Sequence, residues 1–393
     1  MLRDGQPVIL PPKDLETLLV LVERAGHIVE KEELLAKVWP GVFIEEGNLA
    51  RHVFNLRQVL GDREDGRMYI ETIPKRGYRF VAPVTMLGPP AVSHGRAGAA
   101  QPLGQLPRQE IRFCTTSDGV RLAWASVGSG YPLVKAANWL NHLDFEWESP
   151  IWKHWIEQLT QYHRLIRYDE RGNGLSDWDV RDMSPELWVR DLETVVDSAR
   201  VDRFALLGIS QGGAVAISYA VRHPERVSHL ILHGAYSRGW KNRAASEEFE
   251  DERRALLTLV RLNWGKNLPG FSEIIAKRFV PENTSIEHQR WWDDLQRVST
   301  SPGNAARIME VCDEINVRNL LPSVSVPTIV FQCDRDQIVP AEEGRMLAAE
   351  IPNARFVPLS SANHILLADE PAWKIFVREL GAFLGWRDVP INH

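Results

Sequence analysis

The stretch that most constrains this chain is Gly208-Ile-Ser-Gln-Gly212, which lies between the apolar residues 204–207 and small residues at helical spacing up to Ala220. The pattern predicts a strand, a tight turn and a helix. Glycines on both sides of Ser210 permit a turn sharp enough to expose its hydroxyl at the end of the strand. Ser210 is therefore the candidate nucleophile, and the backbone N–H of Gln211 is a candidate oxyanion donor. A glycine-rich turn with an unreactive serine would show the same pattern.

Length and composition indicate two globular domains in a reducing compartment. The chain has 393 residues, more than one domain usually contains. Its formal net charge of -6 gives no overall attraction to nucleic acid or anionic membranes, so any DNA contact requires a local basic patch. Cys114, Cys312 and Cys333 are too widely spaced for a disulfide framework or a structural zinc site. No secretory leader pattern and no apolar run of about 18 residues occurs, so we expect a cytoplasmic protein without a membrane span.

Three helices are predicted in the first part of the chain. Apolar residues recur at helical intervals from Pro11 and stop at Gly26, where a glycine would end the helix. A second, amphipathic helix is predicted over residues 27–39. The third begins near Asn48 and continues to Leu60 with its apolar side chains on one face.

A β-hairpin with a basic tip is predicted after these helices. Residues 69–73 and 78–81 are strand-like, and Pro74-Lys-Arg-Gly77 forms the turn between them. Residues 48–60 and 72–83 contain cations and no acid, although the segment as a whole is not basic. Three helices and a basic hairpin make a winged helix, with its cations where DNA would lie. The plain alternative is a solvated helix face and turn.

Residues 1–83 resemble the effector domain of OmpR/PhoB-type response regulators and of CadC-like one-component regulators. The resemblance is carried by residues 10–13, 34–39, 48–57 and 70–80. It implies that the third helix enters the major groove of DNA and that the hairpin wing reaches the adjacent minor groove. It places Ala50, Arg51, Phe54 and Asn55 near base edges. It assigns phosphate or minor-groove contacts to His52, Arg57, Lys75, Arg76 and Arg79.

Two departures from that family bear on DNA binding and its control. The family usually has several strands before the first helix, but only residues 8–10 have a strand pattern here. A shortened sheet would weaken or abolish DNA binding. We also expect no phosphorylatable receiver domain in front of the unit. Residues 84–108 are rich in Gly, Pro and Ala and are predicted to form a flexible linker.

Residues 109–388 alternate between strand-like and helix-like segments, which predicts a mainly parallel sheet covered on both faces. Between about residues 235 and 320 the alternation gives way to Trp-rich helical segments. We expect these to form a helical cap over the carboxyl ends of the strands, where such folds bind ligands. Its tryptophans either line a pocket or fill the core of the cap, and the second role is favoured for most of them.

A serine hydroxyl becomes a nucleophile at neutral pH only when an imidazole takes its proton and a carboxylate orients the imidazole. Both partners are found after Ser210 in chain order. His364 follows the last predicted strand, and Asp334 and Asp336 follow the strand before it. The sequence therefore offers one candidate base and two candidate acids.

Residues 109–388 resemble the α/β-hydrolase superfamily. Asp336 matches the acid of its D-x-x-V-P loop, and His364 matches its final base. Residues 169–176 match a D-x-R-G-x-G-x-S turn that is structural in that family. The resemblance implies an oxyanion hole formed by the N–H groups of Trp139 and Gln211, with Asn138 where many relatives have glycine.

The expected fold is thus an α/β-hydrolase fold with a helical cap, preceded by a small winged helix-turn-helix domain. The expected function is a DNA-binding transcriptional regulator whose sensor domain binds and hydrolyses a small ester, thioester or lactone through Ser210, His364 and Asp336. One alternative is a catalytically silent ligand-sensing regulator. The other is a plain cytosolic esterase whose winged helix no longer binds DNA. No metal, flavin or nucleotide motif occurs, so no cofactor is expected, and a homodimer is compatible with this organisation.

Overall fold

The computed structural model consists of two compact units, residues 1–101 and residues 102–393. The structure describes the following residues: 2–3, 6–7, 12–38, 46–61, 68–73, 76–82, 84, 109–243, 247–266, 270–282 and 284–386. Among these, no helix combines the length and the apolar character that a membrane crossing requires.

The amino-terminal unit is built from three helices and short strands. Its elements are β1 (Leu2–Arg3), β2 (Gln6–Pro7), α1 (Pro12–Glu23), β3 (Ile28–Glu30), α2 (Lys31–Val38), α3 (Glu46–Leu60), β4 (Ile70–Ile73) and β5 (Gly77–Phe80).

The core of this unit holds the three helices against a small sheet. Strand β5 lies between β3 and β4 and is antiparallel to both. Leu21 of α1, Leu34 of α2, and Leu49 and Leu56 of α3 are fully buried in one apolar cluster. The buried stripe on α3 is the one that the helical period predicts.

The prediction of one continuous helix over residues 27–39 is wrong at its start, because Ile28–Glu30 form the strand β3. Val29 is fully buried and pairs with Tyr78 of β5. Two β-branched residues in succession favour a strand, and here the pairing with β5 decides between the two structures. The expectation of a single amino-terminal strand also needs correction, since β1 pairs with β2 and residues 8–10 lie outside the described residues.

The carboxy-terminal unit contains one large sheet and ten helices within the described residues. Its strands are β6 (Glu110–Thr115), β7 (Arg121–Val127), β8 (Tyr131–Lys135), β9 (His163–Tyr168), β10 (Phe204–Ile209), β11 (Val227–His233), β12 (Thr328–Cys333) and β13 (Arg355–Leu359). Its helices are α4 (Leu143–Glu146), α5 (Lys153–Thr160), α6 (Pro185–Ser198), α7 (Gly212–Arg222), α8 (Glu247–Asn263), α9 (Phe271–Phe279), α10 (Ile286–Ser299), α11 (Pro302–Glu314), α12 (Ala341–Glu350) and α13 (Pro371–Leu384).

The sheet has the strand order β13-β12-β11-β10-β8-β9-β7-β6. Neighbouring strands are parallel from β13 to β9, whereas β7 is antiparallel to both β9 and β6. Side chains of β10 alternate between two apolar cores. Ala205 and Leu207 face the core that includes α5 and α13, while Phe204 and Leu206 face the core that includes α6 and α7. The predicted sheet, mainly parallel and covered on both faces, is therefore confirmed.

The helices α8 to α11 lie between β11 and β12 and form the predicted cap. Trp264, Trp291 and Trp292 are buried within it. Trp240, just before α8, instead lines a cavity that reaches the carboxyl end of β10. Because Ser210, Asp336 and His364 follow β10, β12 and β13, the sheet presents all three beneath this cap.

Candidate active site and DNA-binding surface

Ser210 stands at a strained turn between β10 and α7. Its φ of 54° lies in the left-handed region that non-glycine residues rarely occupy. A side chain at Gly208 would come within 2.7 Å of Gly213 Cα, and one at Gly212 within 2.7 Å of the Ala137 carbonyl oxygen. The two glycines are thus required by close backbone packing, and the turn holds Ser210 at the edge of the cavity.

His364 and Asp336 form a buried pair. His364 Nδ1 lies 2.7 Å from Asp336 Oδ2, and both side chains are inaccessible to solvent. Asp336 Oδ1 accepts hydrogen bonds from the backbone N–H groups of Ile338 at 2.8 Å and Val339 at 3.0 Å. The carboxylate is therefore fixed in orientation, and it can hold the imidazole with Nε2 free of its proton.

The rival acid, Asp334, has a different role. Its side chain is 45% exposed, and it accepts a hydrogen bond from the Ser361 N–H at 3.1 Å. The structure thus brings Asp336 and not Asp334 to His364. His364 Nε2 is buried and makes no hydrogen bond to the described residues, Ser210 included. Such a bond is often long in ligand-free sites and shortens when substrate binds.

Two residues beside His364 were not predicted from the sequence. Gly234 has φ 51°, and a side chain there would come within 3.0 Å of the His364 ring. His233 Nε2 lies 3.1 Å from the His364 carbonyl oxygen. Burial, followed by the charge of His364, lowers the pKa of His233 to about 4, so His233 stays neutral at physiological pH. Neither residue belongs to a local sequence pattern.

The two predicted oxyanion donors line the same cavity as Ser210. Within the part of the chain that the structure describes, neither the Trp139 N–H nor the Gln211 N–H donates to a protein acceptor. Asn138 is not among the described residues with positive φ, so the asparagine causes no backbone strain there. Its Oδ1 accepts a hydrogen bond from the buried Lys135 ammonium group, whose pKa burial lowers to about 8. This bond fixes the loop before Trp139.

The cavity above Ser210 is small and is lined mainly by the cap. Its volume is about 80 Å³. Three arginines and one acid contribute to its wall: Arg243, Arg253, Arg278 and Asp313. An outer cleft shares Trp240, Arg253 and Asp313 with this cavity, so these three residues separate the two spaces. Sequence reasoning missed the charged lining, because its members come from three different helices and from the segment before α8.

The cap is bonded directly to the loop that carries His364. The His364 N–H donates to the Phe279 carbonyl oxygen at 2.8 Å, at the end of α9. The Glu282 N–H donates to Asn363 Oδ1 at 2.9 Å, and the Glu282 carboxylate binds Arg335 at 2.6 Å. We refer to Phe279, Glu282, Arg335 and Asn363 as the cap latch.

The turn at residues 169–176 is structural. Asp169 accepts hydrogen bonds from the N–H groups of Leu143 and Leu175, both at 2.8 Å. Arg171 forms a two-pronged ion pair with buried Asp191 at 2.6 and 2.7 Å. Among the described residues, no three His, Cys, Asp or Glu side chains are grouped as metal ligands.

In the amino-terminal unit, two of the predicted DNA-contacting side chains bind a buried acid. Asp14 of α1 is 1% exposed. His52 Nδ1 contacts Asp14 Oδ1, and Asn55 Nδ2 donates to Asp14 Oδ2 at 3.4 Å. These bonds attach α3 to α1. The assignment of His52 and Asn55 to DNA stays a prediction, in competition with this internal role.

Arg57 and Arg79 are also engaged within the unit. Arg57 donates to the Ile70 carbonyl oxygen at 3.0 Å and to Thr72 Oγ1 at 2.7 Å, which connects α3 to the hairpin. Arg79 pairs with Glu71 at 2.6 Å.

The remaining predicted contacts are less constrained. Arg76, at the tip of the hairpin, is 62% exposed and lies 4.0 Å from the equally exposed Glu30. Phe54 on α3 is 58% exposed. The side chain of Arg51, and Lys75 as a whole, lie outside the described residues. Arg76 is therefore the most accessible of the predicted cations whose side chains the structure describes.

Comparison with known proteins identifies both units. A family model described as the alpha/beta hydrolase fold matches residues 142–371, and one described as "Transcriptional regulatory protein, C terminal" matches residues 5–80. RutD of Azorhizobium caulinodans, a candidate carbamate hydrolase, is 28% identical over 262 residues, which are 66% of this chain and 92% of RutD.

The transcriptional regulator HilA of Salmonella typhimurium is 42% identical over 91 residues, which are 23% of this chain but only 16% of HilA. An esterase from Exiguobacterium antarcticum has a similar structure, with a TM-score of 0.59 at 22% identity. That similarity covers 70% of this chain and 98% of the esterase. Both resemblances inferred from the sequence are confirmed.

Proposed function

Because the chain belongs to the α/β-hydrolase family and joins to it a DNA-binding unit of transcriptional regulators, we propose that it is a regulator whose hydrolase domain binds and hydrolyses a small carboxylic ester, thioester or lactone. One observation carries the hydrolytic part of this proposal. His364 and Asp336 form a buried pair in the loops after β13 and β12, at the same carboxyl edge of the parallel sheet at which Ser210 follows β10, and His364 Nε2 makes no hydrogen bond to the described residues. The DNA-binding part rests on the α3 helix and the wing.

In the proposed reaction, Ser210 Oγ attacks the substrate carbonyl carbon while His364 Nε2 takes the hydroxyl proton. The carbonyl oxygen becomes an oxyanion that the N–H groups of Trp139 and Gln211 stabilise. When the tetrahedral intermediate collapses, His364 gives its proton to the leaving alcohol or thiol, and the acyl group remains on Ser210. Water, deprotonated by His364, then attacks this acyl-enzyme. The acid leaves, and the proton returns to Ser210.

A serine-directed probe tests this proposal. The natural chain should react with a fluorophosphonate and hydrolyse 4-nitrophenyl butyrate, and Ser210→Ala should lose the label and at least about 10³-fold in kcat. Ser218→Ala is the matched control. Ser218 is on α7, where its hydroxyl donates to the Ala214 carbonyl oxygen at 2.9 Å, and this variant should keep both activities.

If the natural chain neither reacts with the fluorophosphonate nor hydrolyses the ester, the hydrolytic part of the proposal is wrong. The chain would then be a regulator that binds its ligand without turnover. Full activity in Ser210→Ala would instead show that another residue is the nucleophile.

A further inference from the structure

The wall of the Ser210 cavity carries more positive than negative charge. Arg243 lies between β11 and α8, Arg253 is on α8, and Arg278 is on α9. Asp313 on α11 is the one acid among the lining residues. Two of the three guanidinium groups therefore have no acid opposite them in the lining.

Arg253 is the arginine that Asp313 neutralises. Its Nε lies 2.8 Å from Asp313 Oδ2 and its Nη2 lies 2.7 Å from Asp313 Oδ1. The side chains are 15% and 3% exposed, respectively. This two-pronged, largely buried ion pair neutralises the charge of Arg253 within the protein, although Asp313 Oδ1 makes no hydrogen bond to the described residues. Arg253 is therefore not the group that requires a ligand.

Arg278 has no such partner. In the described parts of the chain it forms neither an ion pair nor a hydrogen bond, and its guanidinium lies 5.9 Å from the centre of the Trp240 ring. Burial, followed by the nearby Arg253 charge, lowers its pKa, and the charge of exposed Glu252 only partly opposes this. A half-buried cation beside another cation is stabilised by an anion that enters the cavity.

Arg243 is more deeply buried and only partly satisfied. Its Nε donates to the Arg238 carbonyl oxygen at 2.8 Å and lies 3.9 Å from Glu343, which pairs more closely with Arg238 at 2.5 Å. Its Nη1 is buried without a hydrogen-bond partner among the described residues. Leaving a charged donor unpaired in this way is costly unless a ligand accepts from it.

We propose that Arg243 and Arg278 bind a carboxylate on the acyl part of the ligand, so that the domain prefers a small ester or lactone bearing a free acid group. The hydrolytic aspect rests on the function proposed above, whereas binding of the carboxylate does not. Both arginines line the inner cavity and not the outer cleft. The inner cavity adjoins Ser210, where the acyl group stays during turnover. Its volume of about 80 Å³ suits a short acyl chain.

Two esters that differ in one charge test this proposal. They are the mono-4-nitrophenyl ester of glutaric acid and the same molecule with its free acid converted to the methyl ester. A charge-assisted bond contributes about 1.5–3 kcal/mol, so kcat/KM should favour the free acid by about 10- to 100-fold in the natural chain. Arg278→Met and Arg243→Gln should each reduce this ratio towards about 1, whereas Arg278→Lys should retain part of it.

Arg261→Gln is the matched control. Arg261 is on the same helix as Arg253, is 52% exposed, and pairs with Glu310 outside the cavity. This variant should keep the ratio of the natural chain. Equal kcat/KM for the two esters in the natural chain would overturn the carboxylate site and leave the hydrolase proposal standing. A preference that survives both Arg278→Met and Arg243→Gln would overturn the assignment to these arginines.

A binding measurement separates failure of this inference from failure of the hydrolase proposal. Full-length Ser210→Ala would be titrated with glutarate and, separately, with uncharged glutaramide by calorimetry. Glutarate should bind at least about 10-fold more tightly, and a second substitution, Arg278→Met, should remove that difference. If neither ester is hydrolysed but glutarate is preferred, the site stands without catalysis. If glutarate and glutaramide bind equally, or if neither binds detectably, the carboxylate site is wrong, whatever the kinetics of the two esters.

Discussion

At the scale of single residues, the proposed active site depends on which acid orients His364. Asp336 Oδ1 accepts two backbone N–H bonds and Oδ2 contacts His364 Nδ1 at 2.7 Å, so both carboxylate oxygens are engaged. Asp334 lies outside this arrangement and is bonded to Ser361. The two acids are two residues apart in sequence, yet only one has the geometry of a catalytic partner.

Asp336→Asn should lower kcat for 4-nitrophenyl butyrate by about 10³- to 10⁴-fold, because an amide can no longer hold the imidazole in the required tautomer. Asp334→Asn, the matched control, should stay within a few-fold of the natural chain. Steady-state kinetics, with melting temperatures to verify folding, would check both. Equal losses in the two variants would contradict the assignment.

Sequence reasoning could predict Ser210, His364 and the two candidate acids because each follows a strand and has recognisable neighbours. It could not find Arg243 and Arg278. These residues belong to different elements, and neither has a local pattern that distinguishes it from an exposed arginine. What joins them is the packing of the cap around one cavity, which is a property of the tertiary structure.

At the scale of elements, the cap latch connects α9 to the loop that carries His364. Glu282 makes most of the side-chain contacts in the latch. The Glu282 carboxylate binds Arg335 at 2.6 Å and accepts a hydrogen bond from the Ala362 N–H at 3.3 Å. The position of His364 is therefore set in part by the cap. Local periodicity predicted the cap helices well but gave no sign of this connection.

Glu282→Ala should lower kcat by about 3- to 10-fold, because even small displacements of a catalytic group reduce turnover. Glu310→Ala is the control, since it removes a cap ion pair of similar exposure, with Arg261, that does not touch the His364 loop. Both variants should lose a similar, small amount of stability, about 0.2–1 kcal/mol. A loss of kcat in Glu310→Ala that equals the loss in Glu282→Ala would show that the latch has no special role.

Elements of the amino-terminal unit show where sequence patterns are insufficient. Residues 28–30 are two apolar residues followed by an acid, a pattern that suits either a helix or a strand. Its structure is decided by pairing of Val29 with Tyr78, about fifty residues away. Local sequence patterns likewise did not predict the contacts of Asp14 with His52 and Asn55, because both polar side chains were expected to point away from the core, towards DNA.

At the scale of the whole molecule, the chain joins a DNA-binding unit to an α/β-hydrolase domain. We expect the full chain to bind DNA from its own promoter region with strong salt dependence, and Arg51→Ala and Arg76→Ala to weaken that binding. Arg24→Ala is the control, because Arg24 pairs with Glu33 outside the third helix and the wing. Mobility-shift titrations at several salt concentrations would measure this, and unchanged binding in both test variants would refute the recognition-helix assignment.

The wall formed by Trp240, Arg253 and Asp313 bears on how fast a ligand exchanges rather than on how tightly it binds. The inner cavity and the outer cleft share these three residues, so a ligand that moved directly from the cleft to the cavity would pass this wall. Passage there would require a largely buried ion pair to separate and an aromatic ring to turn aside. Exchange would then be slow compared with diffusion. For a sensor, the residence time of the ligand would set how long a response outlasts its stimulus.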